Sequence, residues 1–203
     1  MTEQAPSSVV VALPKLVAKT GSEPFRVVDE LPSEMKEVAP VRRMARGIVL
    51  RDDDMLLVRQ GLTGMWSIPG GGVEENETPS QAVIRELHEE TGLVIRRATQ
   101  ALVAWERYGD DVYETHVFLC DGSQGADCMP TKEESYLEQT PEWRPISFAI
   151  GEFTKGLPDR ATEWYESDGK VRERLMPVVH YLEHAEGIYA REAMILRTLF
   201  PCG

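Results

Sequence analysis

The sequence predicts a mixed α/β domain. Two observations carry that prediction: short strand-like runs recur through the middle of the chain, and one helix among them is marked at both ends. A third observation says that the chain can bury its own core. Hydrophobic residues make up 42% and charged residues 28% of 203 positions, ordinary globular proportions.

The elements follow in order. Residues 1–40 read as an N-terminal arm, because Pro6, Pro14, Pro24, Pro32 and Pro40 interrupt any regular structure. A tail or wrapping segment is the favoured reading. Val9–Leu13 and Phe25–Val28 are the runs able to add an edge strand. The domain is assigned to residues 41–160. Residues 45–50 and 55–59 read as strands joined through Asp52, Asp53 and Asp54, a residue type suited to turns. A glycine-rich loop, Pro69–Gly72, leads to a helix from about Pro79 to Thr91. Strand-like runs follow near 93–96, 101–106 and 112–120, then a polar stretch over 121–140 and a short strand over 142–149. Residues 161–203 form a C-terminal segment, helical from about 171 to 200 with an interruption at Gly187. Its apolar surplus points to packing on the domain, with a homodimer interface as the second reading.

Charge and cysteine content narrow the function. Lys plus Arg is 22 and Asp plus Glu is 34, a net charge of −12. So acidic a chain is poorly suited to a nucleic-acid polymer, whose phosphates require a basic face. A small phosphate ligand stays possible, because a divalent cation reverses the local field. Cys120, Cys128 and Cys202 form no CxxC pair and are odd in number, which argues for reduced thiols and a cytoplasmic location. No apolar run is long enough to span a membrane.

The chemistry is concentrated between Gly71 and Leu93. Thr78 is a suitable N-cap, Pro79 suits the first helical position, Gln81 completes a capping box, and Gly92 is placed to end the helix. At about 100° per residue, Glu86, Glu89 and Glu90 share an arc of about 100°. Val83, Ile84 and Leu87 share a second arc, expected to be the buried stripe. Three carboxylates at i, i+3 and i+4 repel one another. A solvated acidic face is one reading. The other is a site for a hard cation such as Mg²⁺, which seeks clustered carboxylate oxygens. Gly70, Gly71 and Gly72 would let backbone approach a ligand closely.

The complete pattern resembles a known one. Gly71, five residues, Glu77, seven residues, Arg85-Glu86-Leu87, one residue, Glu89-Glu90, one residue, Gly92-Leu93 is similar to the Nudix box at every defined position. The lead-in Trp66-Ser67-Ile68-Pro69-Gly70 resembles the family's approach to it. The resemblance implies an α/β/α sandwich with a mixed sheet. It also implies hydrolysis of a pyrophosphate linkage in a nucleoside diphosphate derivative, with Mg²⁺ or, in its place, Mn²⁺. Carried over position by position, Glu86, Glu89 and Glu90 resemble the metal-binding glutamates, and Gly70 stands where a backbone carbonyl often joins them. Arg85 and Glu77 resemble the supporting pair. Trp66, Gly71 and Gly72 are expected to face substrate. A further carboxylate from a later loop is expected to act at the metal or as base. Glu138 is the first candidate, with Glu133, Glu134 and Glu142 as rivals.

The resemblance narrows the substrate only to a class. No proline lies about sixteen residues after the box, where many ADP-ribose-cleaving members carry one. Nucleoside triphosphates or modified nucleotides are favoured. ADP-ribose, sugar nucleotides and dinucleoside polyphosphates are the alternatives. A nucleotide-binding regulatory module without catalysis is the rival from another class.

Overall fold

The computed structural model describes residues 26–28, 41–61, 63–108, 111–124, 138–156 and 185–201. The domain boundaries near 40 and 160, Val9–Leu13, the first half of the C-terminal helical stretch, Glu133 and Glu134 lie outside these residues.

Seven strands and three helices are described. The strands are β1 (Arg26–Val28), β2 (Val41–Arg51), β3 (Asp54–Gln60), β4 (Trp66–Ser67), β5 (Leu93–Tyr108), β6 (Asp111–Gln124) and β7 (Gln139–Pro145). The helices are α1 (Pro79–Thr91), α2 (Ile146–Lys155) and α3 (Ala185–Leu199). Strand order is β1-β5-β6-β2-β3-β4, with β7 on β3. The sheet is mixed: β2 and β6 run parallel from Val41↔Val112 to Val49↔Cys120, and the other pairings are antiparallel.

Both faces of the sheet are covered. Ala45, Val49, Leu56, Phe118 and Cys120 pack with Ala82, Val83 and Leu87 of α1. Ile48, Leu57, Leu102, Ala104 and Val117 pack with Ala149 and Phe153 of α2 and with Tyr189, Ile195 and Leu196 of α3. Alternate residues of β2 thus feed opposite cores, which is why this strand reads as a nearly continuous apolar run. The result is an α/β/α sandwich. Among the described residues no helix is long and apolar enough to cross a membrane.

Several local expectations change. Residues 26–28 pair with Ala104–Glu106 of β5 and extend the sheet edge, the strand reading of that run. The runs near 93–96 and 101–106 are one strand, kept continuous by register shifts at Ile95/Arg97 and Gln100/Leu102. The strand expected over 142–149 stops at Pro145. From Ile146 onward apolar residues recur at 146, 149, 150 and 153, a helical period, and α2 forms there. Residues 121–124 continue β6 rather than opening the loop. Gly187 does not interrupt the helix, since it lies within α3.

Candidate active site

The site starts from the ends of α1. Thr78 Oγ1 accepts from the Gln81 N–H at 3.3 Å, and Gln81 Oε1 accepts from the Thr78 N–H at 2.8 Å. This reciprocal cap fixes where the helix begins. Gly92 takes a left-handed φ of 68° and donates to the His88 carbonyl at 2.9 Å, which ends it. Those two ends set the phase of every side chain between them.

The buried face of α1 differs from the expected stripe. Ala82, Val83, Glu86, Leu87 and Glu90 are buried, whereas Ile84 is 38% exposed. Two of the three carboxylates therefore point inward, each only 8% exposed. The glycine loop makes this possible. A Cβ on Gly71 would lie 2.5 Å from Glu86 Oε1, so the missing side chain leaves the space that this carboxylate fills. Gly70 has φ of +133°, a conformation essentially closed to other residues, and its N–H donates to Glu90 Oε2 at 2.7 Å.

The loop is tied to β2. Ala45 N–H donates to the Gly71 carbonyl and Gly47 N–H to the Pro69 carbonyl, both at 2.9 Å. Gly72 is exposed, and its carbonyl accepts from Arg85 Nη2 at 3.0 Å. The Gly70 carbonyl, matched by resemblance to a metal ligand, accepts from Arg46 Nη1.

Arg85 is the hub of the cluster. It reaches Glu77 Oε1 at 2.7 Å, Glu86 Oε1 at 2.8 Å and Glu89 Oε2 at 3.1 Å. Hydrogen bonding to Glu77 raises the Arg85 pKa, and the same contact holds the Glu77 carboxyl below its usual value. One guanidinium thus serves three carboxylates, and Glu90 adds a fourth. The donor set, all carboxylate oxygens on one side of a helix, suits a hard divalent cation. The inward carboxylates, with Glu86 seated against the bare Gly71, support that fit. Among the described residues no three acidic, His or Cys groups converge at coordinating distance. Arg85 lies between Glu86 and Glu89, supplying positive charge there.

Glu138 is exposed, adopts φ of 54°, and sits against Gly61, just beyond the C-terminal end of β3. Its described contacts do not reach the box. Glu142 pairs with Arg144 at 2.6 Å. Trp66 is buried, with its ring edge-to-face on Phe148 at 5.3 Å and its backbone N–H on Tyr189 Oη at 2.9 Å. That is a core position. A cleft of about 660 Å³ opens at the other end of β2, where Arg51 lies 4.2 Å over the Trp143 ring; Leu93, the last residue of the box, lines it, and the box glutamates do not.

Four charged residues escaped the sequence reading: Arg46, Glu106, Arg191 and Glu192 are buried and joined on the α3 face. The available signal was a charge inside an apolar run, as in Met-Ala-Arg-Gly-Ile-Val and Ala-Arg-Glu-Ala-Met-Ile.

Known proteins share part of this sequence. A family model described as NUDIX domain matches residues 41–166, more than half of the chain. A MutT-like protein of Streptomyces ambofaciens is 32% identical over 106 residues, 47% of this chain and 62% of that protein. An RNA pyrophosphohydrolase of Brucella ovis is 38% identical over 63 residues, 31% of this chain and 33% of that protein. The chain thus spans less than two thirds of the length of these relatives. A crystal structure of a MutT NUDIX hydrolase from Burkholderia pseudomallei is 22% identical, with a TM-score of 0.44 over 68% of this chain and 98% of that one.

Proposed function

The chain belongs to the Nudix family, and from that premise we propose that it hydrolyses a pyrophosphate linkage in a nucleoside diphosphate derivative, using Mg²⁺ or Mn²⁺. The single observation that carries this reading is the gathering of carboxylates on α1. Glu86 and Glu90 are nearly buried, and Glu89 stands beside Glu86 across Arg85. Clustered carboxylate oxygens are the donor set that a hard divalent cation takes.

Glu86, Glu89 and Glu90 would hold the ion. When bound, it would polarise a phosphoryl oxygen and offset charge developing at phosphorus. The chain's own groups would do the rest. The Gly70 N–H orients Glu90, and Arg85 sets Glu86 and Glu89 while tying helix to loop through Glu77 and the Gly72 carbonyl. In the reaction, a water oxygen bonds to one phosphorus as the bridging P–O bond breaks. The water proton passes to a carboxylate, and the bridging oxygen leaves on the second phosphate. A nucleoside monophosphate is one product. Glu138, exposed beside Gly61, is the candidate base.

The favoured substrate is a nucleoside triphosphate or a modified one. The relative named RNA pyrophosphohydrolase adds 5′-triphosphorylated RNA to the test. The purified chain is incubated with Mg²⁺ and a panel: nucleoside triphosphates, oxidised guanine nucleotides, ADP-ribose, sugar nucleotides, dinucleoside polyphosphates and that RNA. A Glu89→Gln variant runs in parallel. Metal-dependent cleavage lost in the variant is the expected result. Nucleotide binding with no cleavage of any member would replace the hydrolase by a regulatory binding module.

A further inference from the structure

Beneath the glycine loop lies a set of buried charges that the proposed chemistry does not use. Arg46 of β2 is 5% exposed, Glu106 of β5 is 1%, and Arg191 and Glu192 of α3 are 4% and 0%. Arg191 donates to Glu192 at 2.7 Å and to Glu106 at 3.5 Å. Arg46 Nε stands 3.8 Å from Glu192 Oε1. Burying two arginines and two glutamates is no efficient route to stability, since apolar side chains of similar volume often serve as well or better. Their placement suggests a different use.

One end of this set touches the box. Arg46 Nη1 donates to the Gly70 carbonyl and reaches the Ile68 carbonyl at 3.4 Å. The neighbouring Pro69 and Gly71 carbonyls take N–H groups from the β2 backbone. Gly70 alternates with them, so its carbonyl is left to a side-chain donor, and Arg46 supplies it. The N–H of the same residue donates to Glu90 Oε2 at 2.7 Å. A single glycine therefore has a guanidinium on one side and a box carboxylate on the other. With φ of +133° and no side chain, Gly70 has little of its own to hold that orientation.

The geometry points to Arg46 as a positioning residue for the box. It locks the Gly70 backbone so that the Gly70 N–H holds Glu90, and Glu192 of α3 holds Arg46 in turn. Gly70 then serves the site through its N–H, because a guanidinium on its carbonyl opposes a second cation there. The inference rests on the proposed role of Glu90 at the metal, and the test separates the two.

Mn²⁺ binding to the full chain is titrated without nucleotide by the loss of the free-ion electron paramagnetic resonance signal, alongside thermal melting. Arg46→Met should weaken Mn²⁺ binding by about 10–100-fold, the usual cost of losing a group that orients a metal ligand. Arg46→Lys keeps a cation beside Glu192 but loses the fork that spans to Gly70. It should remain folded and weaken binding about tenfold. Ile195→Ala, a cavity in the same core, should lower the melting temperature and leave Mn²⁺ affinity unchanged. Arg46 variants that melt lower but bind Mn²⁺ as tightly as the parent would overturn the positioning role. A parent chain that binds no Mn²⁺, matched by an equally inert Glu90→Gln, would remove the metal reading and the inference with it.

Discussion

Two charge clusters, one on each face of the sheet, obey opposite rules. On the α1 face, Arg85 meets three acids, Glu77, Glu86 and Glu89, with Glu90 on the neighbouring inward face. Solvent reaches part of it, with the Arg85 side chain 26% and that of Glu89 27% exposed. On the α3 face, Arg46 and Arg191 face Glu106 and Glu192, two against two among the described residues, with side chains at most 6% exposed. Interior charge must be balanced by protein, because desolvation of an uncompensated ion is prohibitive. Under the proposed function, the first cluster belongs to the face that receives a cation and the second to the face that supports it.

The largest effect should come from breaking the balanced cluster. Glu192→Ala removes the carboxylate that both arginines approach, and should cost about 3–5 kcal/mol in urea unfolding. A loss below about 1 kcal/mol would mean that the α3 cluster is as tolerant of imbalance as the α1 cluster, and the contrast would collapse. Next in size is Glu90→Gln, which should lower kcat about 10²–10³-fold while leaving the urea midpoint near that of the parent. Retained activity in that variant would move Glu90 from the reacting face to the supporting one. Gly71→Ala comes third. Its new Cβ meets the end of the Glu86 side chain at 2.5 Å, so the carboxylate must swing aside. Mn²⁺ affinity should fall about tenfold with little change in melting temperature, and an unchanged affinity would show that Glu86 has room to spare.

The smallest effect concerns acid. The Arg85 hydrogen bond lowers the Glu77 pKa from its ordinary value of 4.5, so the unfolded chain binds this proton more readily than the folded one. The stabilisation from Glu77 is present in full above about pH 4.5 and is lost as pH falls through the lower, folded value. A Glu77→Gln variant should therefore melt below the parent at pH 6 and approach it as the acid limb is descended. Parallel melting curves at every pH would remove Glu77 from the Arg85 hub.

Much of the box was legible because its information is local. Thr78, Gln81 and Gly92 mark both helix ends, and the same residues cap it in three dimensions. Segments governed by tertiary context were harder. The helix at Ile146–Lys155 begins just after a proline and shares its first residues with a strand-like run, so chain composition alone favoured the wrong element. Gly187 resembles a helix breaker but lies within α3, where it is buried.

The sequence by itself determined that Glu86, Glu89 and Glu90 lie on one side of a helix, and that Glu77 and Arg85 fall near them, because the period of a helix is fixed by its backbone. Only the tertiary structure decided how that helix is rotated about its axis. Packing against β2 turned Glu86 and Glu90 inward and Ile84 out to 38% exposure, with the bare Gly71 giving Glu86 its space. Only the tertiary structure, too, brought Arg191 to Glu106 across 85 residues and Arg46 between Glu192 and Gly70. The physical reason is common to both. A side chain's direction along its own element follows from local geometry, whereas the partner it meets depends on how separate elements share the space between them.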